Sequence, residues 1–180
     1  MSILGPTGGG RFVTPPDTSL SISSPIHSHI HEGRFYTFGM KVDIGADTAA
    51  NVLIQTGSLP VHAIMAGTVS QNMSAEFWED TVFSDPGSGV LSYNRLRSSD
   101  NLSLATLTIN PTSADFGTRL FETFIPGGQK QAATGGAAST LGEWILSPNT
   151  NYLMRIINNI VSPSAVGIAS LSLEYYESET

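Results

Sequence analysis

The fold of this chain is decided by its last third, which reads Leu141-Gly-Glu-Trp-Ile-Leu-Ser-Pro-Asn-Thr-Asn-Tyr-Leu-Met-Arg-Ile-Ile-Asn-Asn159 and then Ile168-Ala-Ser-Leu-Ser-Leu-Glu-Tyr-Tyr-Glu177. Large apolar side chains alternate with smaller or polar ones, which is the pattern of strands with one buried face. That face is predicted to hold Trp144, Leu146, Tyr152, Met154, Ile156, Leu171, Leu173 and Tyr175. The residues Pro148-Asn149-Thr150 predict a tight turn between the first two strands, because Pro fixes φ and Asn tolerates unusual backbone angles.

The region between residues 27 and 124 carries six further strand candidates, separated by turn-forming Gly, Pro, Asn and Asp. They are Arg34–Ile44, Asn51–Thr56, Val61–Ser70, Met73–Phe83, Gly89–Arg97 and Leu102–Ile109. The alternation of apolar and polar residues shifts by one position between Leu104 and Leu107, which indicates a bulge or a corner. No helical periodicity is sustained, and no internal repeat is evident. The sequence therefore predicts an all-β protein, an antiparallel β-sandwich of jelly-roll type.

Residues 1–26 are predicted to form an extended N-terminal arm, and residues 27–180 the β-sandwich domain. The arm contains Gly8-Gly9-Gly10 and Pro15-Pro16, which favour extended chain over a packed element. It is either a disordered tail or a segment that adds a strand to a neighbouring subunit. The predicted interface residues are Phe12, Leu20, Ile22 and Ile26 of the arm, and Gln129, Lys130 and Gln131 of a long loop within residues 125–142.

The composition excludes several classes of protein. Only 13% of the residues are charged, against about 25% in a typical domain, and a surface rich in Ser and Thr is common where a protein meets other chains. The net charge of −7 argues against nucleic-acid binding, which needs clustered Lys and Arg. The absence of cysteine excludes disulfides and thiolate ligands. No signal peptide and no membrane span are predicted.

Possible metal ligands cluster at His27, His29, His31 and Glu32. On a strand the three His side chains would share one face at about 7 Å spacing, and neutral imidazole suits Zn, Fe, Ni or Cu. The run is similar to the first motif of the cupins, with Gly39 as the closing glycine, but Glu32 lies one residue too close to His29 and no second motif follows. The alternatives are an ion bound between symmetry-related subunits, or histidines that bind nothing. The last interpretation is preferred, so we expect no metal and no cofactor.

Catalytic groups do not form a recognised motif. Neither a Gly-x-Ser-x-Gly elbow nor a phosphate-binding loop occurs. Glu76, Glu79 and Asp80 are close enough in sequence to pair for glycoside hydrolysis, but a solvated strand face is the preferred interpretation. Trp78 and Tyr93 would offer a sugar-binding platform if they are exposed. The sequence therefore predicts that the chain is not an enzyme.

Four segments resemble small β-rich virion proteins of tailed bacteriophages, in particular the capsid decoration (cement) proteins. They are His29–Phe35, Glu143–Leu146, Asn149–Ile156 and Leu173–Glu177. The resemblance implies a non-enzymatic structural protein, made in the host cytoplasm, that binds the major capsid protein on the outer surface of the phage head. A homo-oligomer, a trimer or a dimer, would clamp neighbouring capsomers through many weak contacts. The alternatives are a phage tail or fibre component that binds a host receptor, and a cupin-like metal-binding protein.

Overall fold

The computed structural model describes residues 25–127, 139–160 and 166–178. These ranges contain one short helix and thirteen strands. The helix is α1 (Pro25–His31), and the strands are β1 (Phe35–Ile44), β2 (Thr48–Gln55), β3 (Val61–Val69), β4 (Met73–Glu79), β5 (Val82–Asp85), β6 (Ser88–Val90), β7 (Tyr93–Asn94), β8 (Thr106–Ile109), β9 (Thr112–Asp115), β10 (Thr118–Ile125), β11 (Ser139–Leu146), β12 (Asn151–Asn158) and β13 (Gly167–Glu177). The prediction of an all-β protein is confirmed. No helix of the described ranges is long and apolar enough to cross a lipid bilayer.

The strands form two large antiparallel sheets and one small ribbon. Sheet A has the order β11-β3-β13-β1-β7, and sheet B has the order β10-β4-β12-β2-β8-β6. The ribbon consists of β5 and β9. Successive strands from β1 to β4, and again from β11 to β13, alternate between sheets A and B. The predicted turn at Pro148–Thr150 is present, with Asn149 at φ 52°, but it joins the two sheets and is not a hairpin. The predicted antiparallel sandwich is confirmed, while its jelly-roll type stays a prediction.

The core lies between the inner faces of sheets A and B. β3 is buried at every second residue, and β13 buries Leu171, Leu173 and Tyr175 as the alternation predicts. Sheet B contributes Met154 and Ile156 to the same cluster. The period of two thus places one face of each central strand in the core, where burial of apolar area stabilises the fold.

The outer face of sheet B carries a second, smaller apolar layer. Leu53 of β2 and Leu153 of β12 are cross-strand partners and are fully buried, although neither belongs to the main core cluster. Trp78 of β4 is the next partner in the same row. The ring of Phe116, which follows β9, lies 5.5 Å from that of Trp78. The segment after β9 therefore covers an outer face that a simple sandwich would leave in water.

Three predicted strands are shorter than the sequence indicates. Met73–Phe83 is divided into β4 and β5, because Asp80 has φ 60° and turns the chain between them. Near the predicted strand Gly89–Arg97, the structure has only the short strands β6 and β7. Of the predicted strand Leu102–Ile109, only Thr106–Ile109 forms a strand, so the shift in the apolar alternation marks a corner before β8. The sequence does not predict β9 and β10, because most of their side chains are exposed or half-buried and give little alternation.

One motif occurs twice, contrary to the prediction of no internal repeat. After β4 and after β8 the chain has a left-handed residue, Asp80 (φ 60°) or Asn110 (φ 55°), and seven positions later a left-handed glycine, Gly87 (φ 82°) or Gly117 (φ 81°). In both copies the glycine N–H donates to the Asp carboxylate two residues earlier, at 2.9 Å and 3.0 Å. β5 of one copy pairs with β9 of the other.

The two copies of this motif pack on each other reciprocally. A Cβ placed on Gly87 would overlap the carbonyl oxygen of Ile109, and a Cβ placed on Gly117 would overlap that of Glu79. Each glycine thus lies against the backbone where the other copy begins. Both positions need glycine for its left-handed φ and for the close approach of the two chains.

The run of histidines forms α1 and not the predicted strand. Pro25 opens the helix, where its missing N–H is tolerated. Gly33, with φ 67°, ends it: the Gly33 N–H donates to the Ile30 carbonyl and the Arg34 N–H to the His29 carbonyl, both at 3.0 Å. This is the Schellman arrangement that terminates many helices.

The predicted arm lies outside the described residues except for Pro25 and Ile26, which begin α1. Ile26 is half-buried. The other predicted interface residues also lie outside the described ranges: Phe12, Leu20, Ile22, Gln129, Lys130 and Gln131.

Candidate interaction surfaces

Both large sheets end on the same side of the sandwich in an eight-residue strand that has no neighbour on its outer side among the described residues. These edge strands are β11 of sheet A and β10 of sheet B. Trp144 of β11 and Phe121 of β10 bring the edges together, with ring centroids 6.3 Å apart. Ile145 is 68% exposed on β11, and Phe124 is 58% exposed on β10. We call this surface the β10–β11 edge; the predicted contact loop is the connection between its two strands.

Charged and aromatic side chains form a compact cluster on the outer face of sheet B, beside this edge. Glu76 is 9% exposed. Its Oε2 accepts hydrogen bonds from Arg155 Nη1 at 2.8 Å and from Trp78 Nε1 at 3.0 Å. Arg119 approaches the other carboxylate oxygen to 3.8 Å. The guanidinium carbon of Arg155 lies 4.2 Å from the ring centroid of Phe116. Arg155 and Trp78 therefore hold one oxygen of the Glu76 carboxylate and Arg119 lies near the other, while the ring of Phe116 packs against the Arg155 guanidinium.

The three carboxylates that the sequence offered for glycoside hydrolysis have three different surroundings. Glu76 is buried on the outer face of sheet B, so the preferred interpretation of a solvated strand face is wrong for this residue. Glu79 instead accepts a hydrogen bond at 2.7 Å from the hydroxyl of Tyr152, a core residue. Asp80 lies in the left-handed turn after β4. Glu76 and Glu79 therefore have structural partners, and Asp80 is exposed.

Replacing Arg155 by alanine is expected to lower the free energy of unfolding by about 2–3 kcal/mol, because Glu76 would keep a buried carboxylate without its closest partner. Arg95→Ala is the matched control, since Arg95 pairs with Glu174 at 3.2 Å but both side chains are 41% exposed. An exposed pair contributes about 1 kcal/mol or less. Urea unfolding at neutral pH measures both variants. Equal losses would contradict the role assigned to the buried cluster.

A groove crosses the opposite side of the sandwich, where sheets A and B end in β7 and β6. Its two connected cavities, of about 330 Å³ and about 500 Å³, share Leu91, Ser92, Leu102 and Ser103 in their walls. Leu91 is 73% exposed and Leu102 is 87% exposed. The groove is therefore lined by apolar side chains that the described part of the chain leaves exposed.

A hydrogen-bond network fixes the floor of this groove. The Tyr175 hydroxyl lies 2.8 Å from both Ser92 Oγ and Ser103 Oγ. Ser103 Oγ donates to Glu177 Oε1 at 2.7 Å, and the Ala105 N–H donates to the same oxygen at 2.9 Å. Burial raises the pKa of Tyr175 to about 12, so its hydroxyl stays protonated at neutral pH. The loop that carries Leu91 and Leu102 is thus held to β13 by buried polar contacts.

The smaller cavity contains the charged residues of the groove. Tyr93 is 55% exposed, and the guanidinium carbon of Arg97 lies 5.7 Å from its ring centroid. Asp100 and Asn101 line the same cavity. An exposed ring beside carboxylate, amide and guanidinium groups is a surface that a sugar can occupy. Trp78, the other predicted sugar platform, is half-buried between Phe116 and neighbouring charges.

The histidines are divided between two places. His29 and His62 both stack on Tyr176, with ring centroids 4.0 Å and 4.5 Å away. Glu32 accepts hydrogen bonds from Arg34 Nη2 at 2.6 Å and from the Ser28 hydroxyl at 3.0 Å; the hydrogen bonds from Arg34 lower the pKa of its carboxyl.

The remaining two histidines, His27 and His31, face each other one helical turn apart. In the part of the chain that the structure describes, no three His, Cys, Asp or Glu side chains are grouped closely enough to hold a metal ion. The cupin-like set of His27, His29, His31 and Glu32 is therefore not assembled.

The chain matches no known protein family, and no curated protein is significantly similar to it.

Proposed function

We propose that this chain is a non-enzymatic virion structural protein that decorates the outer surface of a tailed-phage capsid and stabilises the contacts between capsomers. The observation that carries the proposal is the β10–β11 edge. Among the described residues, β10 and β11 have no partner strand on their outer side, and each exposes a large apolar side chain. An exposed strand edge is a template for pairing with a strand of another chain.

The low charge of the chain fits a surface that meets other proteins, because few ions must lose water on contact. The phage context comes from the resemblance of four segments to decoration proteins: His29–Phe35, Glu143–Leu146, Asn149–Ile156 and Leu173–Glu177. The proposed partner is the major capsid protein, and the proposed state is a homo-oligomer, a trimer or a dimer, whose copies bind together.

Co-sedimentation with capsids that lack the protein tests this proposal. The intact protein is expected to bind saturably. Ile145→Lys and Phe124→Lys are expected to weaken binding at least about tenfold, since a lysine on an edge strand opposes pairing with another chain. Val82→Lys is the matched control, because Val82 is 56% exposed but lies on β5, which is neither of the two edge strands. No binding by the intact protein, or equal loss in the control, would overturn the proposal.

The polar cavity beside Tyr93 favours a second candidate, a tail or fibre component that binds a host glycan. This candidate predicts that the protein binds to a glycan array and has no affinity for capsids. Tyr93→Ala would then remove the glycan signal while Phe124→Lys would keep it. Binding to capsids together with no signal on the glycan array would exclude this second candidate.

A further inference from the structure

α1 brings two imidazoles into direct contact on its solvent side. His27 and His31 are four residues apart, a spacing that places side chains on the same helical face. Their Nε2 atoms are 3.0 Å apart, and their ring centroids are 4.5 Å apart at an interplanar angle of 75°. Both side chains are exposed. A strand, as expected from the sequence, would have separated them by four residues of extended chain, so this pair exists only because α1 is helical.

The other polar groups of α1 face different partners. His29 stacks on Tyr176 and thereby fixes the helix on sheet A. Glu32 is held by Arg34 and Ser28. His27 and His31 contact each other, and one N–H···N hydrogen bond joins the rings through their Nε2 atoms. An ion that binds both Nε2 atoms would replace this hydrogen bond, and the Nε2 proton would pass to the Nδ1 atom of the same ring. The helix that carries the pair is fixed from its other side.

The distance between these nitrogens matches the coordination chemistry of imidazole. With metal–nitrogen bonds of about 2.0–2.1 Å, two ligands of one ion are about 3.0 Å apart when the angle at the metal is near 90°, and about 3.4 Å apart at a tetrahedral angle. An angle near 90° is typical of tetragonal Cu²⁺ and Ni²⁺ sites with nitrogen and oxygen ligands. We propose that His27 and His31 form a two-histidine binding site for such a divalent ion, with water in the remaining positions.

Binding at this site would stabilise α1 itself. The helix has only seven residues, whereas isolated helices shorter than about 12–15 residues are marginal in water. An ion that bridges residues one turn apart requires the helical conformation, so its binding free energy favours that conformation. The ion would thus brace the segment that joins the first 24 residues to the body of the domain.

Isothermal titration of the full-length protein with Ni²⁺ tests the site, using protein prepared without a histidine tag. We expect one ion per chain. His31→Ala and His27→Ala should each lower the affinity about tenfold or more, since a single imidazole loses the advantage of two linked ligands. His29→Phe is the matched control: it removes an imidazole from the same helix but keeps an aromatic ring on Tyr176, and its affinity should equal that of the unchanged protein.

A second readout does not depend on substitutions in the helix. Substoichiometric Ni²⁺ should broaden the ring-proton NMR signals of two of the four histidines, those of His27 and His31, and spare those of His29 and His62. Broadening that is equal at all four histidines would overturn the proposal, and so would binding that His29→Phe weakens as much as His31→Ala. Absence of any binding at millimolar Ni²⁺ would overturn it as well.

Discussion

Replacing Phe77 by alanine is expected to lower the free energy of unfolding by about 3–5 kcal/mol. Phe77 lies on β4 of sheet B and is 2% exposed. Its ring centroid is 5.4 Å from that of Trp144, on sheet A, and 5.6 Å from that of Tyr152, on the neighbouring strand β12. Truncation removes the apolar contact between the sheets and leaves a cavity that rigid backbones on both sides cannot fill.

The control for Phe77→Ala is Phe124→Ala, since both residues are phenylalanines on adjacent strands of sheet B. Phe124 is 58% exposed on the edge strand β10, so its truncation should change stability by about 0.5 kcal/mol or less. Urea denaturation measures the midpoint and the slope of unfolding for both. A loss below about 1 kcal/mol for Phe77→Ala, with the slope unchanged, would show that this aromatic cluster does not hold the two sheets together.

The same pair of substitutions separates stability from proposed function. Phe124→Ala is expected to leave the fold intact while weakening capsid binding, because the side chain contributes to the β10–β11 edge and not to the core. Phe77→Ala should reduce binding only in proportion to the unfolded fraction. If the two variants lost binding in parallel with stability, the edge would have no specific role in the interaction.

The strands that could be predicted from the sequence are those with one face in the core and the other in water. β3 and β13 bury every second residue, and the alternation around Leu171, Leu173 and Tyr175 shows this directly. β12 could be located but not fully interpreted, because Leu153 is buried on the outer face of sheet B. Leu153 lies beside Trp78, which contacts Phe116 from a segment far away in sequence, and no local pattern encodes this arrangement.

The parts that could not be predicted depend on contacts distant in sequence. Alternating His27, His29 and His31 indicate a strand, and the helix forms because Gly33 caps it and Tyr176 provides a stacking surface for one of its faces. The charged cluster around Glu76 could not be predicted for the same reason. In the sequence Glu76 has the pattern of a surface residue, and only the pairing of β12 with β4 brings Arg155 beside it. The β10–β11 edge could not be predicted either, because β10 has no clear alternation of buried and exposed residues.

Replacing Gly117 by alanine is expected to lower the free energy of unfolding by about 2–4 kcal/mol, from the penalty of a left-handed backbone together with steric overlap. Gly117 has φ 81°, and an added Cβ would overlap the carbonyl oxygen of Glu79, a backbone atom that cannot rotate away. Gly89→Ala is the matched control, because nothing lies within 4 Å of its Cβ position. It should be neutral or slightly stabilising, since alanine reduces the entropy of the unfolded chain.

The reciprocal packing of the two turns makes a stricter prediction for the double variant. Gly87 lies against Ile109 and Asn110, as Gly117 lies against Glu79 and Asp80, and the two copies are joined by the β5–β9 ribbon. Once Gly87→Ala has displaced one turn, the opposite turn has already lost part of its packing. The loss in Gly87→Ala/Gly117→Ala should therefore be smaller than the sum of the single losses by about 0.5 kcal/mol or more. Strict additivity by urea unfolding would show that the turns act independently, and that the repeated motif is a coincidence of spacing and not a single structural unit.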